Sequence, residues 1–136
     1  MLYSFTGSVA NDRLGTSVAG AGDTNNDGFA DVIAGAYKNG AGYAKVYSGA
    51  NGAVLHTLSG QAKGDSFGWS VRGAGDVNND GNDDVIVGAY KIGAGYARVY
   101  SGATGGVLRD MTGTVSGEYF GYAVSGAGDV NADSYA

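Results

Sequence analysis

A chain of 136 residues is the size of one domain, and its net charge of −5 with no cysteine excludes a disulfide framework and a thiolate metal site. The acidic balance also argues against a nucleic-acid partner, which needs a basic footprint, and no apolar run is long enough to insert in a membrane. Glycine is abundant at 27 residues, proline is absent, and the glycines fall between short β-rich runs, as frequent tight turns require.

The chain opens on Met1-Leu2-Tyr3-Ser4, which enters repeat sequence at once, so no signal peptide is read here. Segments 14–66 and 67–119 align without gaps, and about 33 of the 53 positions are identical. Each repeat offers four strand-like runs: 14–19 and 67–72, 31–37 and 84–90, 42–48 and 95–101, 54–58 and 107–111. β-Branched and aromatic residues dominate them, no helical period is sustained, and turns such as Gly49-Ala50-Asn51-Gly52 separate them. Four short antiparallel strands per repeat of about 50 residues predict an all-β fold of β-propeller blades. The ends share the register. Leu2 to Gly7 aligns with a fourth strand, and Phe120 to Val124 with a first strand. The expected organisation is an orphan outer strand and link (1–13), a blade (14–66), a second blade (67–119) and a partial blade (120–136). Two blades cannot close a ring of about four to eight, so their flat faces predict completion by homo-oligomerisation or by a longer parent chain.

Between the first and second runs of each repeat lies an acidic loop. It reads Asp23-Thr24-Asn25-Asn26-Asp27-Gly28-Phe29-Ala30-Asp31 and then Asp76-Val77-Asn78-Asn79-Asp80-Gly81-Asn82-Asp83-Asp84. Oxygen side chains at loop positions 1, 3, 5 and 9, with glycine at 6, suit a hard divalent cation, and calcium tolerates such flexible geometry. The candidate ligands are Asp23, Asn25, Asp27, Asp31, the Phe29 carbonyl, and Asp76, Asn78, Asp80, Asp84, the Asn82 carbonyl. The competing explanation is a polar turn bonded to its own backbone. An EF-hand is disfavoured because its twelfth position holds Ala34 and Val87 inside strand-like runs. Asp129, Asn131 and Asp133 make a partial third set in which Ser134 replaces the glycine, and a frayed, empty tail is expected there. Asp83, the variable eighth position, and His56, matched by Arg109, are expected to face solvent.

These residues resemble the FG-GAP repeats of integrin α-subunit β-propellers. Phe67-Gly68 and Phe120-Gly121 match the first half of the motif, and Leu14-Gly15 nearly does. Gly35-Ala36-Tyr37 and Gly88-Ala89-Tyr90 match the second, with tyrosine in place of proline. The resemblance implies that the loops bind Ca²⁺ and that the propeller is a non-enzymatic platform for adhesion or protein ligands, extracellular or at the cell surface. Similar repeats occur in sugar-binding propellers, so a lectin-like module and an accessory domain of a larger secreted enzyme are the alternatives. Tyr43 and Tyr47 around Lys45, with Tyr96 and Tyr100 around Arg98, are read either as inter-blade packing under a cation or as a sugar shelf.

Overall fold

A computed structural model describes residues 2–136. It contains eight strands: β1 (Ser17–Gly22), β2 (Asp31–Ala36), β3 (Tyr43–Tyr47), β4 (Val54–Ser59), β5 (Ser70–Gly75), β6 (Asp84–Ala89), β7 (Tyr96–Tyr100) and β8 (Val107–Thr112). They form two antiparallel meanders, β1-β2-β3-β4 and β5-β6-β7-β8, with no helix among the described residues. The expected all-β blades are therefore present, as two sheets of an unclosed propeller.

The middle strands explain the layering. β2 and β6 read Asp-Val-Ile-Ala-Gly-Ala and Asp-Val-Ile-Val-Gly-Ala and are covered on both faces, which is why they run apolar rather than alternate. The two sheets pack face to face. Ile33, Val46 and Leu58 of the first meet Val85, Val87 and Tyr100 of the second, and the fully buried Phe67 lies between them. Phe67 sits edge-on to Tyr100, with ring centroids 6.0 Å apart. A β-bulge interrupts each first strand, between Gly20 and Gly22 and between Gly73 and Gly75.

Three expectations shift. The first strands start at Ser17 and Ser70, three residues later than read, because Leu14-Gly15-Thr16 and its copy are turns: Gly15 and Gly68 have φ of 92° and 85°. Residues 2–7 and 120–124 form no regular strand, since among the described residues neither segment joins the backbone ladder of either sheet. Both segments are nevertheless docked. Phe5 stacks on Tyr47 with centroids 4.0 Å apart, and the Tyr3 hydroxyl donates to the Ala50 carbonyl at 2.6 Å. Phe120 makes a parallel bridge with Gly95, as Phe67 does with Gly42. An open groove of about 410 Å³ remains beside the second sheet, lined by Ile86, Ala97, Met111, Phe120 and Val124.

Candidate metal centre

The acidic loops connect β1 to β2 and β5 to β6, at one end of each hairpin. Asp23 organises the first. Its two oxygens accept the backbone N–H groups of Asp27 at 3.0 Å and Gly28 at 2.8 Å. Asp27 accepts the N–H of Phe29 at 2.9 Å and the Asn25 side-chain amide at 2.9 Å. The second loop repeats this with Asp76 holding Asp80 and Gly81, at 3.0 and 2.8 Å. Asp80 accepts from the N–H of Asn82 at 2.9 Å and from the Asn78 amide at 2.8 Å. Gly28 and Gly81 both have φ of 87°, a conformation that closes the loop and disfavours any side chain.

The third loop is not frayed. Asp129 accepts from Asp133 and Ser134 at 3.2 and 2.8 Å, and Asn131 donates to Asp133 at 2.9 Å. The reason is that the Asp129 carboxylate supplies the same turn chemistry as Asp23 without needing the ninth residue. Ser134 adopts the glycine conformation at φ 74°.

Asp31 and Asp84 differ from the other acids of the loops. They are 1% and 0% exposed and root the loop in its blade. Asp31 accepts from the Thr24 N–H at 2.9 Å, the Thr24 hydroxyl at 2.5 Å and the Gly49 N–H at 2.9 Å. Asp84 accepts from the Val77 N–H at 2.8 Å and the Gly102 N–H at 2.9 Å. Burial pushes the Asp84 carboxyl above the usual carboxylate range, the Gly102 and Val77 amides oppose this, and the charges of Asp80 and Asp76 add to the rise. Asp80 is held below that range by the side chains of Asn82 and Asn78, and Asp129 by the N–H of Ser134.

Among the described residues no three His, Cys, Asp or Glu side chains are gathered into a ready-made cluster. The donor chemistry nevertheless fits a hard cation. Every candidate ligand is oxygen, and Asp84 is a buried carboxylate with two further carboxylates acting on it and no cationic partner among its contacts.

Two sets of residues escaped the sequence reading. Asp83 is half-buried rather than free in solvent. Its carboxylate accepts the Asp23 N–H at 2.9 Å, and its own N–H donates to the Asp23 carbonyl at 3.0 Å, so it ties the second loop to the first. The room comes from Gly22 at φ 76°, where a Cβ would overlap the Asp83 carboxylate. The second set is the pair Asp12–Tyr43 and its copy Asp65–Tyr96. Asp65 accepts from the Tyr96 hydroxyl at 2.7 Å and from the N–H groups of Gln61, Ala62 and Phe67. Asp12 does the same with Tyr43, Ser8, Val9 and Leu14. The only signal for it was the recurrence of Asp12 and Asp65 at the repeat period, outside the loops.

His56 is half-buried rather than solvent-facing, because its Nε2 donates to the Gly102 carbonyl at 2.5 Å across the blade joint. Lys45 and Arg98 lie over the rings of Tyr43 and Tyr96, 5.4 and 5.1 Å from the centroids. All four strand tyrosines are buried, Tyr96 and Tyr100 in the core between the blades and Tyr43 and Tyr47 against Asp12 and Phe5 of the N-terminal segment, so they do not form a shelf. The accessible rings lie at the opposite end of the hairpins from the acidic loops. There Trp69 contacts Tyr37, Tyr90 and Tyr122 with centroids 4.8, 5.0 and 5.6 Å away.

No family model matches the chain. Curated relatives do. Integrin alpha-3 of Cricetulus griseus is 36% identical over 145 residues, covering 90% of this chain and 13% of the relative. Integrin alpha-6 of Gallus gallus is 31% identical over 147 residues, covering 98% and 14%. Integrin alpha-7 of Homo sapiens is 38% identical over 136 residues, covering 90% and 11%. The chain thus spans about an eighth of the length of these relatives.

Proposed function

The chain belongs to the integrin α-like FG-GAP β-propeller repeats, and on that premise we propose that it is a calcium-binding, non-enzymatic propeller module that serves as a scaffold for adhesion or protein interaction outside the cell. The observation that carries the calcium reading is the fully buried Asp84, which accepts from the Val77 and Gly102 N–H groups and has no cationic partner among the described residues, in a loop that also holds Asp76 and Asp80. Asp23, Asn25, Asp27, Asp31 and the Phe29 carbonyl would hold one ion, and Asp76, Asn78, Asp80, Asp84 and the Asn82 carbonyl another. When bound, calcium supplies positive charge to the loop and stabilises the folded state by linkage. A non-enzymatic reading is supported by the engagement of the one histidine, His56, in the blade joint. Titration calorimetry should find two ions per chain with a dissociation constant on the order of 10⁻⁴–10⁻³ M, as in extracellular modules. Asp27→Ala and Asp80→Ala should each remove one ion and lower the melting temperature. Absence of calcium uptake by the unmodified chain overturns the reading.

Self-association belongs to the same reading. The open groove at Ile86, Met111 and Val124 is the place where, one repeat earlier, the second blade packs over Ile33 and Leu58, with its own Val71 at the position of Val124. A homo-oligomer would bury it. We take 1–13, 14–66, 67–119 and 120–136 as its structural units. Removing 1–7 or 118–136 should change the assembly while both complete loops still take calcium. A stable, cooperatively folded monomer of 13.5 kDa in sedimentation refutes self-association.

A glycan-binding reading is favoured by one observation, the cluster of Trp69, Tyr90 and Tyr122 at the end away from the loops. Glycan-array binding that Trp69→Ala abolishes would support it, and a blank array removes it.

A further inference from the structure

We propose that Asp83 couples the two cation loops, so that an ion in the second loop strengthens binding in the first. The inference rests on the calcium reading above and assigns a role to a residue outside both ligand sets. Asp83 is a positioning residue: it holds both peptide groups of Asp23, accepting the N–H at 2.9 Å and donating to the carbonyl at 3.0 Å. Asp23 is the residue whose carboxylate organises the first loop through Asp27 and Gly28. On the other side, Asp83 is bonded directly to Asp84, which is anchored by Val77 and Gly102. An ion that orders 76–84 therefore fixes Asp83, and Asp83 fixes the head of the first loop. The first loop then has less freedom to lose on binding, which is positive coupling without a change of fold. Linkage makes the effect mutual.

The repeat contains its own comparison. At the next joint Ala136 stands where Asp83 would, and it gives Asp76 only the backbone half of the pair, at 3.1 Å. The first loop has Ala30 at the same position. Alanine is thus compatible with the blade there, and Asp83→Ala is expected to fold.

The test follows calcium titration of the full chain by the backbone amide resonances of Gly28 and Gly81, which report the two loops separately. Asp80→Ala, which disables the second loop, should raise the dissociation constant at Gly28 by about five-fold or more. Asp83→Ala, which keeps only the backbone half of the contact, should raise it as well, and adding Asp80→Ala to it should raise it by less than Asp80→Ala does in the unmodified chain. Asp83→Asn should keep the coupling, because its amide oxygen accepts the same Asp23 N–H. If Gly28 titrates identically with and without the second ion, or if the two effects simply multiply, the coupling is refuted while the calcium reading stands. If neither amide responds to calcium in the unmodified chain, both fall.

Discussion

The Tyr96 hydroxyl donates to the Asp65 carboxylate at 2.7 Å, joining the turn that enters the second blade to that blade's third strand. The same carboxylate also accepts N–H groups of Gln61, Ala62 and Phe67, so one buried charge closes a whole turn and seats Phe67. Tyr96→Phe removes the hydroxyl's bond to a charged group, together with the longer one that the hydroxyl accepts from the Gln61 N–H at 3.2 Å, and should cost about 2 kcal/mol. Asp65→Ala leaves several donors unmet and should cost about 3 kcal/mol or more. Urea denaturation measures both, and a smaller loss for Asp65→Ala than for Tyr96→Phe contradicts the turn-closing role.

The equivalent Asp12 gives a pH signature. Burial pushes its carboxyl up, but the Tyr43 hydroxyl and the N–H groups of Leu14, Val9 and Ser8 outweigh burial and leave it below the usual carboxylate range. A depressed folded value means that the stabilisation is present above the unfolded value, near pH 3.9, and is lost as pH falls through the folded one. Acidification below about pH 4 should therefore release residues 2–13, including the Phe5 stack on Tyr47. Ring resonances of Phe5 followed against pH test this, and Asp12→Asn should remove that pH-dependent step.

The sequence reading reached some of this and not the rest, for a physical reason. Repeat period, strand type and loop chemistry are local, and each is visible in consecutive residues: Asp-x-Asn-x-Asp-Gly is self-contained because Asp23 bonds atoms only four and five residues ahead. The Asp65–Tyr96 pair spans 31 residues and the Asp83–Asp23 pair 60, so each depends on how one blade lies on the next. Packing also decided the start of β1. Leu14-Gly15-Thr16 is apolar and β-branched enough to read as strand, but the Gly15 N–H donates to the Gly35 carbonyl at 3.0 Å and draws the segment into a turn.

Loop glycines yield a pair of predictions of opposite sign. A Cβ on Gly28 would meet nothing within 4 Å, so Gly28→Ala is disfavoured only by its φ of 87° and should cost about 1–2 kcal/mol. Ser134 occupies the equivalent place at φ 74°, so Ser134→Gly should ease strain in the third loop. Thermal melts of the first variant and amide-exchange protection at Asp133–Tyr135 in the second check them. A neutral Gly28→Ala would show that the loop has another conformation in solution.

The blade joint supplies the sharpest contrast. Gly35 and Gly88 carry ordinary negative-φ backbone, yet a Cβ on either would overlap a carbonyl oxygen of the next turn, Gly68 or Gly121. Neither obstacle is a side chain that can rotate away, since the Gly68 N–H is itself bonded to the Gly88 carbonyl at 3.1 Å. Gly35→Ala must therefore push the blades apart around the buried Phe67, and it should cost about 3 kcal/mol or more. Gly20 lies on the neighbouring strand with nothing within 4 Å of a Cβ and no positive φ, so Gly20→Ala should be neutral or slightly stabilising through the unfolded chain. Chemical denaturation of the two variants side by side decides the point. Similar midpoints would mean that the close approach of Gly35 to Gly68 is not what sets the distance between blades.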